Sequence, residues 1–214
     1  MKKLFFILTL LILIFSLSAC GIDAPKENSA QEAEIPQVQT PEEGNFVTEE
    51  AISFFKSIPG EFVFSVGAGG WQTVININED GTFTGKHTDN EFTTIGEGYP
   101  EGSIYICEFT GKFSEPVMIE ENLYSSTIEK LDYNKNTDDF YIKDGIKYIY
   151  SIPFGLENAD KITFFLPGAS GQSLPEEARD WFFDSDKIKE TVPEDLYLIM
   201  NPKDFRTFVG YKTK

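Results

Sequence analysis

Trp71-Gln72-Thr73-Val74-Ile75-Asn76-Ile77-Asn78-Glu79-Asp80-Gly81-Thr82-Phe83-Thr84-Gly85-Lys86-His87-Thr88 is the stretch on which the fold turns. Two β-rich runs, 71–78 and 82–88, flank Glu79-Asp80-Gly81, whose glycine supplies the backbone freedom a tight reversal wants. The stretch therefore reads as an antiparallel hairpin. Outward from it, Glu61 to Val66, Ser103 to Lys112, Val117 to Glu121, Leu123 to Leu131, Lys147 to Ile152, Ile162 to Leu166, Leu196 to Met200 and Thr207 to Tyr211 are further short β-rich segments. Gly, Asn, Asp and Pro punctuate them.

Two stretches break this pattern. Thr48-Glu49-Glu50 places an N-cap and two acids ahead of Ile52, Phe54, Phe55 and Ile58, and Pro59-Gly60 stops the run, so a short amphipathic helix is expected at 48–57. Pro175 to Phe183 puts Leu174, Ala178, Trp181 and Phe182 on one apolar face of a second short helix. Many antiparallel strands with two short helices predict a mainly β domain, an antiparallel lipocalin-like barrel. Sequential hairpins from 61 to about 131 are the connectivity such barrels use, and closure removes exposed edges. Tyr105, Phe109 and Phe113 alternate on one strand, so large aromatics are expected on the inward face. A β-sandwich, or an α+β sheet with the Pro175 helix on one face, stays open as the alternative, since strand order is not visible here.

The 214-residue chain carries 18 Lys and Arg against 35 Asp and Glu, a formal charge of −17. That sign disfavours binding nucleic acid through phosphate neutralisation. The acids are spread along the chain, which describes a solvated surface. Of the two cysteines, Cys107 lies in the β-rich run Ile104 to Phe109 and reads as a small buried hydrophobe.

The N-terminus has its own logic. Lys2-Lys3 precede the apolar run Leu4 to Phe15, which is shorter than the ~20 residues a bilayer-spanning helix needs, and small residues lead up to Cys20. Residues 1–19 read as an export signal peptide. Leu17-Ser18-Ala19-Cys20 resembles the lipobox of bacterial lipoproteins, and the resemblance implies that Cys20 is the lipid attachment site. The mature protein would then be exported and anchored to the outer face of the cell membrane, its membrane partner reached through two acyl chains. Residues 20–45, rich in Pro, Glu, Gln, Ser and Ala, read as a lipidated disordered tether with a reach of about 25–30 Å, and 46–214 as a single β-rich domain.

Motifs that carry chemistry are weak. Gly67-Ala68-Gly69-Gly70-Trp71 is followed by a strand and not by the helix a phosphate cradle needs. Asn76 to Gly81 copies the front of an EF-hand loop, but His87 stands where the bidentate Glu belongs. Asp132 to Asp139 is a second near-match, with Thr137 in the glycine position and Lys143 at the twelfth; it reads as a polar loop. His87 is the single histidine, and Gly168-Ala169-Ser170-Gly171 lacks the nucleophile-elbow spacing. No catalytic residue, metal ligand or cofactor is assigned.

Phe64 to Trp71, Asn78 to Phe83, Gly96 to Pro100, Phe109 to Phe113 and Phe165 to Gly168 together resemble a family of cell-envelope proteins of Clostridia-like bacteria, one with no assigned activity. The resemblance implies an envelope location and a single domain. Three functions are weighed, the first motivated by the aromatics on alternating strand positions and the lack of a catalytic set. The first is a non-catalytic barrel holding a small apolar or amphipathic ligand, with Trp71, Tyr99, Tyr105 and Phe109 as its contacts. The second is an interaction module that holds an envelope protein or the cell wall through loops such as Gly96 to Gly102, and it predicts a filled core with an exposed aromatic patch. An envelope-polymer hydrolase built on paired carboxylates is third.

Overall fold

Thr48 caps the first helix as expected. Its hydroxyl accepts from the Ala51 amide at 3.1 Å, capping helix α1 (Glu49–Ser57), which has Glu49 and Glu50 in its first turn and Lys56 in its last. The computed structural model describes residues 47–65, 69–179 and 188–212; the expectations for 1–46, including Cys20, and those for Trp181 and Phe182 lie outside them. Among the described residues no helix is long and apolar enough to cross a membrane.

Eleven strands follow: β1 (Glu61–Ser65), β2 (Trp71–Ile77), β3 (Thr82–Glu91), β4 (Ser103–Phe113), β5 (Val117–Glu120), β6 (Leu123–Tyr133), β7 (Phe140–Lys143), β8 (Ile146–Tyr150), β9 (Lys161–Phe165), β10 (Leu196–Met200) and β11 (Thr207–Tyr211). Eight of them close a ring, β1-β2-β3-β4-β6-β9-β10-β11 and back to β1, every pair antiparallel. The protein is a closed antiparallel β-barrel. β5 continues the edge of β4 along β6, and β8 joins the other half of β4 in parallel, carrying β7 as an outlying strand. Asp132 and Tyr133, expected in a polar loop, instead end β6, because Tyr133 pairs with Phe109 and packs against the core. A short 3₁₀ turn (Gly171–Ser173) and helix α2 (Glu176–Arg179) form the other helical region.

Alternation along the strands sends Phe62, Phe64, Thr73, Ile75, Ile77, Phe83, Phe109, Phe113, Ile162, Phe164, Ile199 and Phe208 inward, all buried. The rings are in contact: Phe83 stacks on Phe113 at 4.3 Å, Phe113 meets Phe164 edge-on at 5.7 Å, and Phe64 lies 5.4 Å from Phe208. Two glycines make room for them. Gly85 is paired with Phe109 and Gly111 with Phe83 across β3–β4; a Cβ at either would sit 2.1–2.2 Å from the facing ring. Burial of each phenylalanine contributes about 1.5–3 kcal/mol, so the interior is the main source of stability.

Helix α1 closes one end. Ala51 and Phe55, one turn apart, face the barrel with Ile58, and Phe54 packs its ring on Tyr124 and Phe164. Phe55 lies against the β2–β3 turn, where Gly81 has φ +78° and a Cβ would stand 2.6 Å from the ring. The hairpin's glycine is thus needed both for the turn and for the helix above it. A second apolar layer lies outside the barrel: Phe165, Leu196, Leu198 and Met200 point outward and are covered by Ala169, Leu174, Ala178, Ile188 and Val192.

Candidate functional site

The end opposite α1 carries the β3–β4 connection, the β7–β8 hairpin and the loops at 151–160 and 201–206. Inside it, Trp71 packs edge-on against Phe64 and Phe154, and the Arg206 guanidinium lies 4.1 Å over the Phe154 ring. Arg206 pairs with Glu157 and, at 3.0 Å, with Asp204. Burial lowers the Arg206 pKa and raises that of Asp204. The Thr73 hydroxyl donates to the Phe154 carbonyl at 2.8 Å, which leaves its oxygen to accept from His87 Nδ1 at 2.9 Å. One hydroxyl therefore ties the loop at 151–160 to the barrel wall. His87 is buried, and that burial lowers its pKa.

Cys107, opposite His87 on β4, is buried, and its thiol is pushed up to about 12 by desolvation, with Glu108 adding to the shift. At that pKa it is held as the protonated thiol in the core. Asp80 is occupied by the hairpin it belongs to: its Oδ1 accepts from the Thr82 amide at 3.0 Å and hydroxyl at 2.6 Å, the hydroxyl bond being the main reason its pKa is lowered.

The residues singled out for ligand contact separate in space. Phe109 is in the core against Gly85, and Trp71 is half-buried among Phe64 and Phe154. Tyr105 is half-buried on the inward side of β4. Tyr99 belongs to a different surface, the outer rim. Three cavities are lined by described residues; the inward Phe109 borders the second of them and the inward Phe113 the third. One of 600 Å³ runs between α1 and Pro116, Tyr124 and Leu166; one of 380 Å³ is a polar trough on the outer wall by Lys86 and Glu108; one of 190 Å³ sits beside Asp80 and Lys112.

The outer rim joins the loop Gly96 to Gly102, which the sequence marked, to a hairpin it did not. Residues 92–102 fold on themselves through Tyr99 N to Gly96 O at 3.1 Å and Ser103 Oγ to Thr94 O at 2.9 Å, with Tyr99 lying over Gly96. This loop is fastened to the β7–β8 hairpin by Glu101 N to Gly145 O at 3.0 Å and Lys147 N to Gly102 O at 3.0 Å. The hairpin turns at Asp144-Gly145, both at positive φ (52° and 79°), as a two-residue primed turn requires. Lys147 places Nζ 4.1 Å over Phe140 and 5.5 Å over Tyr99, and Tyr141 stacks on Tyr148 at 4.9 Å. Phe92 (66%), Ile95 (62%), Phe140 (55%) and Ile142 (45%) stand in solvent on this loop and hairpin. Phe92, Ile95, Phe140 and Ile142 were missed because exposure is set by pairing; the one local signal was Asp144-Gly145 between β-rich runs.

The class this geometry defines is a closed antiparallel β-barrel whose described inward aromatics are buried against one another, with an aromatic rim on an added hairpin. No protein-family model matches the chain, and no curated protein or solved structure matches it.

Proposed function

We propose that this protein is a lipid-anchored interaction module of the cell envelope, in which the barrel is a packed scaffold and the rim of residues 92–102 with β7–β8 is the contact surface. Membrane attachment through Cys20 and export by residues 1–19 are part of the proposal and rest on the lipobox-like Leu17-Ser18-Ala19-Cys20. The observation that carries it is the contrast between interior and rim. Aromatic side chains in the barrel are buried against each other, while Phe92, Ile95, Phe140 and Ile142 together expose an apolar surface that a soluble domain has no structural need to display.

The rim also narrows the partner's chemistry. β7 ends the sheet, so one of its edges is unpaired among the described residues. Such an edge offers a row of backbone donors and acceptors that another polypeptide matches in register. A protein partner fits this better than a wall glycan.

A photoreactive amino acid at Phe140 or Tyr99 in the full chain, in intact cells of the host, tests the reading. Cross-linked polypeptide adducts are expected from both positions and none from Lys86 on the outer barrel wall. Equal labelling at all three, or none at any, removes it.

A further inference from the structure

We infer that the partner for the free edge of β7 is a second copy of this chain, paired antiparallel about a two-fold axis at Tyr141; this rests on the interaction-module reading and gives it a partner. The register follows from the hairpin. A two-residue turn makes Lys143 and Ile146 the hydrogen-bonded pair that closes it, so alternation has Tyr141 bonding to β8, and Tyr150 N bonds Asp139 O at 2.8 Å. The N–H and C=O of Phe140 and Ile142 therefore point to the open side. Two copies use all four of these groups in one register only, with Phe140 opposite Ile142 of the second copy and Tyr141 opposite its own equivalent.

That register is complementary in side chains as well. Phe140 meets Ile142 twice, both apolar and exposed in the monomer. On the other face Asp139 meets Lys143 twice, one pair on each side of the facing tyrosines. Tyr141 is already held by stacking on Tyr148 at 4.9 Å, so little freedom is lost on pairing. A two-fold contact of this kind is isologous and stops at two copies. The formal charge of −17 opposes association, but charges far from the contact are screened over about 8 Å at physiological ionic strength. Four-residue strands bury less than a standard interface, so the pairing is weak in dilute solution and is favoured when two copies share one surface.

Tyr141→Cys in the full chain tests the register, since facing residues at a non-hydrogen-bonded antiparallel pair have Cα atoms about 4.5 Å apart, within disulfide reach. Mild oxidation of envelopes is expected to double its mass reducibly, with Lys86→Cys and the parent chain unchanged. Adding Asp139→Lys sets lysine against Lys143 and is expected to cut the yield about tenfold; adding Lys143→Asp as well restores it. A Tyr141→Cys chain that stays monomeric, or a dimer indifferent to the charge reversal, overturns self-pairing. If photoreactive Phe140 captures a different polypeptide while Tyr141→Cys stays monomeric, the self-pairing falls and the interaction module stands. Capture at neither removes both.

Discussion

Gly85→Ala is the substitution that measures how full the barrel is. Its Cβ would lie 2.1 Å from Phe109 Cζ and 2.2 Å from Cε2, with the Val74 carbonyl oxygen at 2.8 Å. Carbon atoms rest near 3.5 Å, so the ring must retreat by roughly 1.4 Å. Phe109 is 3% exposed, in a core whose neighbouring rings already touch, so the ring has no solvent to move into. Overpacking of this kind costs about 1–3 kcal/mol, and the fixed carbonyl argues for about 2–3. In a domain of this size that lowers Tm by roughly 4–12 °C. Phe109→Leu alone also destabilises, through the volume it leaves empty. Combined, the two changes should cost about 1 kcal/mol less than their sum, since the smaller side chain accepts the new methyl group. Urea unfolding of the unit Asn45–Lys214, followed by circular dichroism, gives all three free energies. A Gly85→Ala protein within about 0.5 kcal/mol of the parent, or strict additivity, would show that the interior has slack and refute the packed-scaffold reasoning.

Three further outcomes follow from single sites. His87 has a folded pKa below its unfolded value of 6.5, so the unfolded chain takes up a proton first as pH falls; the domain should lose stability below pH 6.5 towards the folded pKa, and His87→Gln should flatten that part of the curve in urea titrations at several pH values. Cys107 should resist thiol reagents in the native protein and react on unfolding, because its thiol is buried with a pKa pushed up to about 12; rapid native labelling would contradict that burial. Cys20→Ala should move the protein from the membrane fraction to the medium or a soluble envelope fraction, and continued membrane retention would end the lipid-anchor proposal.

Much of the fold was legible because its signals are local. Thr48 with two acids announced α1, and Glu79-Asp80-Gly81 announced the β2–β3 turn. The barrel was legible from sequential hairpins, yet its closing pairs, β11 with β1 and β6 with β9, join residues far apart in the chain and leave no local mark. β7 is four residues long and follows a polar stretch, so its hydrophobic pattern is too short to stand out. The site was harder. Alternation rightly put Tyr105, Phe109 and Phe113 on one face, but whether an inward aromatic fills a core or lines a cavity depends on what faces it, here Gly85 and Gly111. The loop Gly96 to Gly102 was visible from its glycines. Phe92, Ile95, Phe140 and Ile142 were not, since an apolar residue in sequence gives no sign of lacking a partner.

The central claim is that the barrel is a filled scaffold and not a container. Native mass spectrometry of the protein purified from its own host tests that most directly. The packed interior predicts the mass of the processed chain with its covalent lipid, or of two copies of it, with no non-covalent small molecule released by organic solvent. A stoichiometric small-molecule adduct that survives purification would contradict it, and would return Trp71, Tyr105 and Phe109 to the lining of a ligand site.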